Sequence, residues 1–286
     1  MNTLRDAAVF EALQRAMGDD AEIIQVTSRL ITFANRLECD LRTAHYRLLD
    51  SLLRAAGPDR TLVMPAFTLS YGKSRRYDPI RDKPETGVLV IAAWERDWMR
   101  TRRPMMNWVA WGARADEIMA QNQTTALGND SVAAWLVNHD ARAIGVGVTD
   151  VHHGWVVVHR AEEICQVPYR YYKKMPGELF IDGQPHGTCE EVLYAKPLLA
   201  NIGHTYAQLT ERLSSAGELW NNDDPLFPLR AVQCRRVVDR SIELLEANTL
   251  AFVAHRDEAR KWLSDLKGQE LGELKPEERF DMSEVP

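Results

Sequence analysis

A histidine and a glutamate three positions apart, in the segment Val156-Val-Val-His159-Arg-Ala-Glu162, carry the plainest chemical potential of this sequence. Positions i and i+3 of a helix share one face, so both side chains can enter the same cleft. Imidazole titrates near neutrality, and a carboxylate neighbour fixes its tautomer and tunes it as a proton acceptor. Just upstream, Arg142-Ala-Ile-Gly-Val-Gly-Val-Thr-Asp150 reads as an apolar strand closing in Gly145-Val-Gly147 and an acid, which sets Asp150 at the mouth of that cleft. His159, Glu162 and Asp150 are the minimal equipment for deprotonating an amine, an alcohol or water. Such a pair also occurs as a surface ion pair or as a satisfied core histidine. His152 and His153 lie close by, so a metal site competes with the acid–base reading. Zinc needs three or four converging ligands, and catalytic sites often show His-x-x-x-His; His153 and His159 are six apart, and no metal is expected.

A second group is basic. Arg96, Arg100, Arg102 and Arg103 are interleaved with Trp98, Met99, Pro104 and Trp108. Guanidinium forks suit phosphates, and aromatic or methionine faces suit an adenine or a pantetheine arm. The bland alternative is a solvated arginine face. Thr27 and Ser28 follow the apolar run Ile23–Val26 and offer hydroxyls and amides that suit phosphate or pantetheine carbonyls, or a plain strand-end turn. Gly-x-Gly-x-x-Gly, Walker-type and Gly-x-Ser-x-Gly sequences are all missing, so neither a dinucleotide fold nor a serine nucleophile is indicated.

These residues need a frame. Residues 4–17 read as a helix with Val9, Phe10, Leu13 and Met17 on one side, and Ile23–Val26 as a short strand. Leu41, Ala44, Leu48, Leu52 and Ala55 recur at helical spacing over 40–56, and Gly57-Pro58-Asp59 stops that helix. Thr61–Met64 is a buried strand, then residues 66–84 a polar loop of the kind that carries function. Asp130 or Ser131 caps a helix through Asn138, and Ala143–Val148 is the next strand. Residues 168–196 are β-rich with a hairpin turn at Asp182-Gly183; helices follow over 201–213 and Val237–Ala247. Apolar strands between helices predict an α/β layer sheet. Residues 1–266 read as a single α/β domain, without repeats or linkers. From Lys267 the chain is charged and is expected to form a loose tail to 286.

The 286 residues suffice for a sizeable core. A net charge of −6 argues against a general nucleic-acid binder. Cys39, Cys165, Cys189 and Cys234 are scattered without a Cys-x-x-Cys pair. The first residues lack the apolar core of a signal peptide, and no apolar run approaches membrane-spanning length, so a cytoplasmic protein without membrane partners is expected.

In their order, several segments resemble the aminoglycoside 3-N-acetyltransferase (antibiotic N-acetyltransferase) family. Gly57-Pro-Asp-Arg-Thr-Leu-Val-Met-Pro-Ala-Phe-Thr68 is similar to that family's Gly-Pro-x-Gly-Thr-Leu-Val-Met-Pro-Thr-Phe segment. Tyr77-Asp78-Pro79 and Gly87 fit the next landmark. Arg100-Thr-Arg-Arg-Pro104, running to Ala110-Trp-Gly-Ala-Arg-Ala-Asp116, is similar to Arg-Ser-x-His-Pro…Ala-x-Gly-x-x-Ala. Gly128-Asn-Asp-Ser131 with Ile144-Gly-Val-Gly147 fits Phe-Gly-x-x-Ser…Leu-Gly-Val-Gly, and His159-Arg-Ala-Glu162 matches His-x-Ala-Glu. The likeness covers about residues 20–185.

The resemblance implies a three-layer α/β/α sandwich around a mixed central sheet, unrelated to the GNAT acetyltransferases. It implies an acyl-CoA-dependent N-acyltransferase, with acetyl-CoA as co-substrate and a small-molecule primary amine as acceptor: an aminoglycoside-like compound, an amino sugar or a natural-product intermediate. His159 would be the general base and Glu162 or Asp150 its partner. Contacts to CoA would map onto Thr27, Ser28, Pro65, Ala66, Arg100, Thr101, Arg103 and Asn107, and contacts to the acceptor onto Asp78 and Trp155. A homodimer is left open. The family histidine before Pro104 is Arg103 here, its serine three residues beyond is Asn107, its glutamate after Gly87 falls near Ile91, and its strand-end Val-His-Ser-Ser is Gln25-Val-Thr-Ser28. The usual Asn-Thr before the His-x-Ala-Glu motif is missing, and Val151-His-His-Gly-Trp155 lengthens that connection. These departures point to a divergent member whose acceptor is a biosynthetic amino sugar or small amine rather than a classical aminoglycoside, with an acyl group other than acetyl left open. Two readings compete: a CoA-binding protein that has lost catalysis, and a metal-assisted hydrolase using His152, His153, His159 and Asp150.

Overall fold

Strands covered on both faces read as largely apolar runs, and three such runs, Ile23–Ser28, Thr61–Pro65 and Arg142–Val146, form the centre of this protein. The computed structural model describes residues 6–29, 40–121, 124–148, 155–197, 202–222, 224–225, 227–266 and 276–280. The first half comprises α1 (Asp6–Met17), β1 (Ile23–Ser28), α2 (Leu41–Ala56), β2 (Thr61–Pro65), α3 (Tyr71–Ser74), β3 (Arg76–Tyr77), α4 (Val88–Trp94), β4 (Met99–Arg100), β5 (Trp108–Gly112) and α5 (Ala115–Met119). Next come α6 (Val132–Asn138), β6 (Arg142–Val146), α7 (Val158–Ile164), β7 (Tyr171–Ile181) and β8 (Gln184–Ala195). The remainder holds α8 (Ala207–Ser215), β9 (Trp220–Asn221), β10 (Leu229–Gln233), α9 (Cys234–Ala247) and α10 (Arg256–Asp265).

The main sheet has seven strands in the order β4-β5-β2-β1-β6-β10-β9. β1 is parallel to both β2 and β6, with Ile23 opposite Thr61 and Ser28 opposite Val146. Antiparallel strands flank this trio, β5 beside β2 and β10 beside β6. The sheet is therefore mixed. Alternate residues of the central strands feed two cores. Ile24, Val26, Leu62, Met64, Ile144 and Val146 pack with α1, α2 and α4. Ile23, Val63, Ala143 and Val232 pack with α6, α7, α8 and α9 on the opposite face. A period of two along the strands thus builds the three-layer α/β/α sandwich expected from the sequence.

The helix caps follow local chemistry. Asp40 accepts from the Thr43 amide at 2.9 Å to start α2, and Gly57, at φ 69°, ends it. Ser131, rather than Asp130, caps α6 by accepting from the Ala134 amide at 3.1 Å. Asp130 accepts from Thr124 instead.

Four regions differ from the sequence expectation. The loop 66–84 contains α3 and β3, because Tyr71 and Tyr77 are buried with Met175 and Leu179 under a second sheet of order β3-β7-β8. The strand expected over 143–148 stops at Val146, where Gly147 turns to φ 71°. The helix expected from 201 starts at Ala207; Gly203, at φ 58°, holds the preceding described residues out of helical geometry. The charged stretch after 266, expected as a loose tail, includes one packed segment. Pro276–Glu278 forms a 3-10 turn, and Glu278 accepts from Arg75 at 2.8 Å and Lys173 at 3.2 Å.

Candidate active site

In open α/β sheets ligands bind beyond the carboxyl ends of the strands. Here β1 and β2 end at Ser28 and Pro65, beside the start of α4, and α7 closes the opposite side. Between them lies a cavity of about 350 Å³. Its walls are chiefly apolar, with Met64, Phe67, Leu89, Met106 and Trp155 prominent; Thr27, Ser28, Thr86, His159 and Tyr206 supply polar groups.

The helical spacing places His159 and Glu162 on one face of α7, as expected. His159 Nδ1 lies 2.5 Å from Glu162 Oε2. Glu162 is fully buried, whereas His159 retains 33% of its side-chain exposure. An ionised carboxylate only accepts, so Nδ1 carries the proton and donates it to Glu162. In that tautomer Nε2 is the nitrogen that can accept a proton.

Two consecutive residues leading into β7 complete the shell of Glu162. Tyr169 donates its hydroxyl to Oε1 at 2.8 Å, and Arg170 donates to Oε2 at 2.9 Å. Burial alone would raise this carboxyl. The Arg170 charge, the His159 hydrogen bond and the charges of His159 and His204 outweigh it, and hold Glu162 at about 2. The segment before α8 adds His204 and Tyr206, whose rings stack at 6.0 Å. Tyr206 Oη lies 3.5 Å from both His159 Nδ1 and His204 Nδ1. Burial pushes His204 down to about 4, against the pull of Glu162, so this imidazole is neutral at pH 7. Burial also raises the Tyr169 and Tyr206 hydroxyls, which remain protonated.

Of the residues named from sequence, Thr27, Ser28, Pro65, Trp155 and His159 line the cavity. Trp155 is 3% exposed, and its indole N–H has no partner among the described residues. Asp150, with His152 and His153, lies outside the described residues. The remaining named residues do not line the cavity. Arg100 spends its guanidinium on Asn107 Oδ1 at 2.8 Å, Thr68 Oγ1 at 2.7 Å, the Ala66 carbonyl at 3.1 Å and the Asp82 carbonyl. Asn107 donates to Thr68 Oγ1 and the Pro104 carbonyl, and Thr101 Oγ1 accepts from the Trp108 amide. Arg103 pairs with Glu191 at 2.7 Å inside the protein. Asp78 accepts from the amides of Ile80, Arg81 and Gly183 beside a different, polar cleft.

Sequence reasoning missed Tyr169, Arg170, His204 and Tyr206. Their distance from the motif along the chain is bridged only by the fold, and no spacing rule marks them. Among the described residues no cluster of three His, Cys, Asp or Glu side chains is gathered for a metal, and no helix is long and apolar enough to cross a membrane.

An imidazole hydrogen-bonded to a buried carboxylate, set in the wall of an apolar cavity at the carboxyl edge of a mixed α/β sheet, has the equipment of a general base. The sequence profile of the aminoglycoside 3-N-acetyltransferase family matches residues 41–246. The chain belongs to this family of N-acetyltransferases. Among solved structures, a histidine-to-alanine mutant of AAC(3)-IVa in complex with a gentamicin is 19% identical, covering 91% of this chain and 98% of that one at a TM-score of 0.70. AAC(3)-IIb is 16% identical over 89% of this chain and 100% of its own, at 0.69. YokD from Bacillus subtilis is 15% identical over 87% and 95%, at 0.67. These likenesses extend the shared fold over nearly the whole chain. No curated protein matches in sequence.

Proposed function

We propose that this protein transfers an acyl group, acetyl in the simplest case, from acyl-CoA to a primary amine of an aminoglycoside-like or amino-sugar acceptor, with His159 as general base. The observation that carries the reading is the 2.5 Å contact between His159 Nδ1 and the buried Glu162, with His159 in the cavity wall. Family membership supplies the reaction class, and the gentamicin complex of AAC(3)-IVa supports an amine-bearing acceptor.

The chemistry of the cavity fits a thioester. Apolar walls suit the methylene and acyl groups, and Thr27, Ser28 and Thr86 offer hydroxyls to pantetheine amides. Bound acyl-CoA supplies the electrophilic carbonyl. A neutral amine would attack that carbonyl while His159 Nε2 takes a proton from its nitrogen; the C–S bond would then break, and CoA would leave as the thiol with the proton returned from His159. Glu162 stabilises the imidazolium and fixes the ring. The indole N–H of Trp155, which has no partner among the described residues, is assigned to an acceptor atom of the bound substrate, because a buried donor without a partner is costly and rare. Arg100, Thr101, Arg103 and Asn107 act on CoA indirectly in this reading: they fix the loop that presents Met106 to the cavity.

Thiol release from acetyl-CoA, measured against a panel of aminoglycosides, amino sugars and simple amines, tests the reading. Turnover that disappears in His159→Ala, with the circular dichroism spectrum retained, is the expected result. Full turnover in His159→Ala sinks the assignment of the base. Binding of CoA without turnover on any amine or acyl group favours the degenerate binding protein.

A further inference from the structure

A histidine hydrogen-bonded to a buried carboxylate has a problem as a base. The carboxylate stabilises the imidazolium, and a ring protonated at rest accepts nothing. From the geometry around Glu162 we infer that Arg170 is a positioning residue that keeps His159 deprotonated at rest while holding Glu162 in place. The inference rests on the reading of His159 as the base, but concerns a residue outside the motif.

Arg170 reaches the same carboxylate oxygen as the histidine. Its Nη2 is 2.9 Å from Glu162 Oε2 and 3.2 Å from His159 Nδ1, and its Nη1 donates to the Tyr194 carbonyl at 3.1 Å. Nδ1 carries a proton in the Glu162-bonded tautomer, so the 3.2 Å approach is a contact between two donors and not a second hydrogen bond. A fixed positive charge thus sits against the ring that would have to become positive. The side chain is 10% exposed, so solvent screens it little.

Arg170 acts in two ways on one oxygen. It neutralises part of the Glu162 charge, which weakens the pull on the His159 proton, and it repels the imidazolium directly. Both lower the affinity of His159 for a proton in the resting site. Among the described residues the other groups facing the ring are Glu162 itself, the hydroxyl of Tyr206, and the neutral imidazole of His204 at a ring distance of 6.3 Å. Tyr169 and Lys196 stand one step further out, on Glu162 and around His204. Of these, only Arg170 combines a full positive charge with direct contact to Nδ1. Tyr169 holds the second oxygen, so Glu162 keeps a donor when Arg170 is replaced.

The test is the titration of His159 by NMR in the full chain without substrate, alongside the pH profile of kcat/KM. Arg170→Met is expected to raise the His159 midpoint by about one pH unit, move the acid limb of kcat/KM upward equally, and lower kcat near neutrality. Arg170→Gln keeps a hydrogen-bond donor without the charge, and is expected to show the same shift should the Met variant fail to fold. Arg170→Lys restores the charge and is expected to return the midpoint towards wild type. Lower thermal stability with an unmoved His159 midpoint in the Met and Gln variants overturns the inference and leaves Arg170 a structural side chain. The titration needs no turnover, so it stands even if no acceptor is found.

Discussion

Glu191 on β8 and Arg103 in the loop between β4 and β5 meet at 2.7 Å, with side-chain exposures of 0% and 5%. Glu191 also accepts from the amides of Met105 at 3.1 Å and Met106 at 2.8 Å, and Arg103 donates to the Val192 carbonyl at 3.0 Å. The pair ties the small sheet to the loop that places Met106 on the cavity. Arg103 and Glu191 thus form an internal brace. Removing one partner leaves a buried charge, so Arg103→Ala or Glu191→Ala is expected to cost roughly 3–5 kcal/mol. Urea unfolding measures it; a loss below about 1 kcal/mol would mean that the pair is solvated.

Glu162 makes the folded state sensitive to acid. Its folded pKa of about 2 lies below the usual carboxylate value of 4.5. The unfolded state therefore binds more protons in between, and the contribution is fully present above about 4.5. It is lost as pH falls from there through about 2. The shift corresponds to about 3 kcal/mol. Stability curves for wild type and Glu162→Gln are expected to converge on acidification, and parallel curves would remove the carboxylate from the account.

His204 carries the opposite ionic form with the same direction of pH dependence. Its folded pKa of about 4 lies below the free value of 6.5, so unfolding takes up a proton across that window. The folded state loses stability as pH falls from about 6.5 to about 4. His204→Phe is expected to flatten this part of the curve. Thermal melts across that range check it, and an unchanged slope would show that the ring titrates freely.

Trp155→Phe keeps most of the cavity wall and removes one buried donor. Lowered kcat, on the order of 10²-fold, with little change in KM for acyl-CoA, is expected if the indole N–H serves charge that develops in the transition state. A rise in KM alone would place the contact on the ground-state substrate.

Gly112 closes β5 at φ 110°, and a Cβ built there would lie 2.1 Å from the Arg60 carbonyl oxygen. Gly112→Ala is expected to destabilise the β2–β5 edge by roughly 3 kcal/mol. A melting temperature equal to wild type would show that the edge yields.

The layers were legible because they follow from periodicity. Ala44, Leu48, Leu52 and Ala55 of α2 are all buried, and the His-x-x-Glu spacing leads directly to the contact on α7. What was not legible depended on tertiary pairing. Arginines at 100 and 103 look like phosphate ligands in one dimension, yet both spend their donors on carbonyls and carboxylates supplied by distant segments. Arg170 has no spacing relation to His159 that any local rule recognises. The loop 66–84 appeared polar because its two buried tyrosines use their hydroxyls on the Met175 and Thr101 carbonyls.

The order of strands has a consequence for biosynthesis. β6 lies between β1 and β10, and its pairing with β10 awaits Leu229–Gln233, long after Arg142–Val146 has been made. On the ribosome, this buried strand at the heart of the main sheet therefore passes through a stage with one edge bare. An unpaired apolar edge is a template for wrong partners. Slow delivery of the last third of the chain is expected to prolong that exposure.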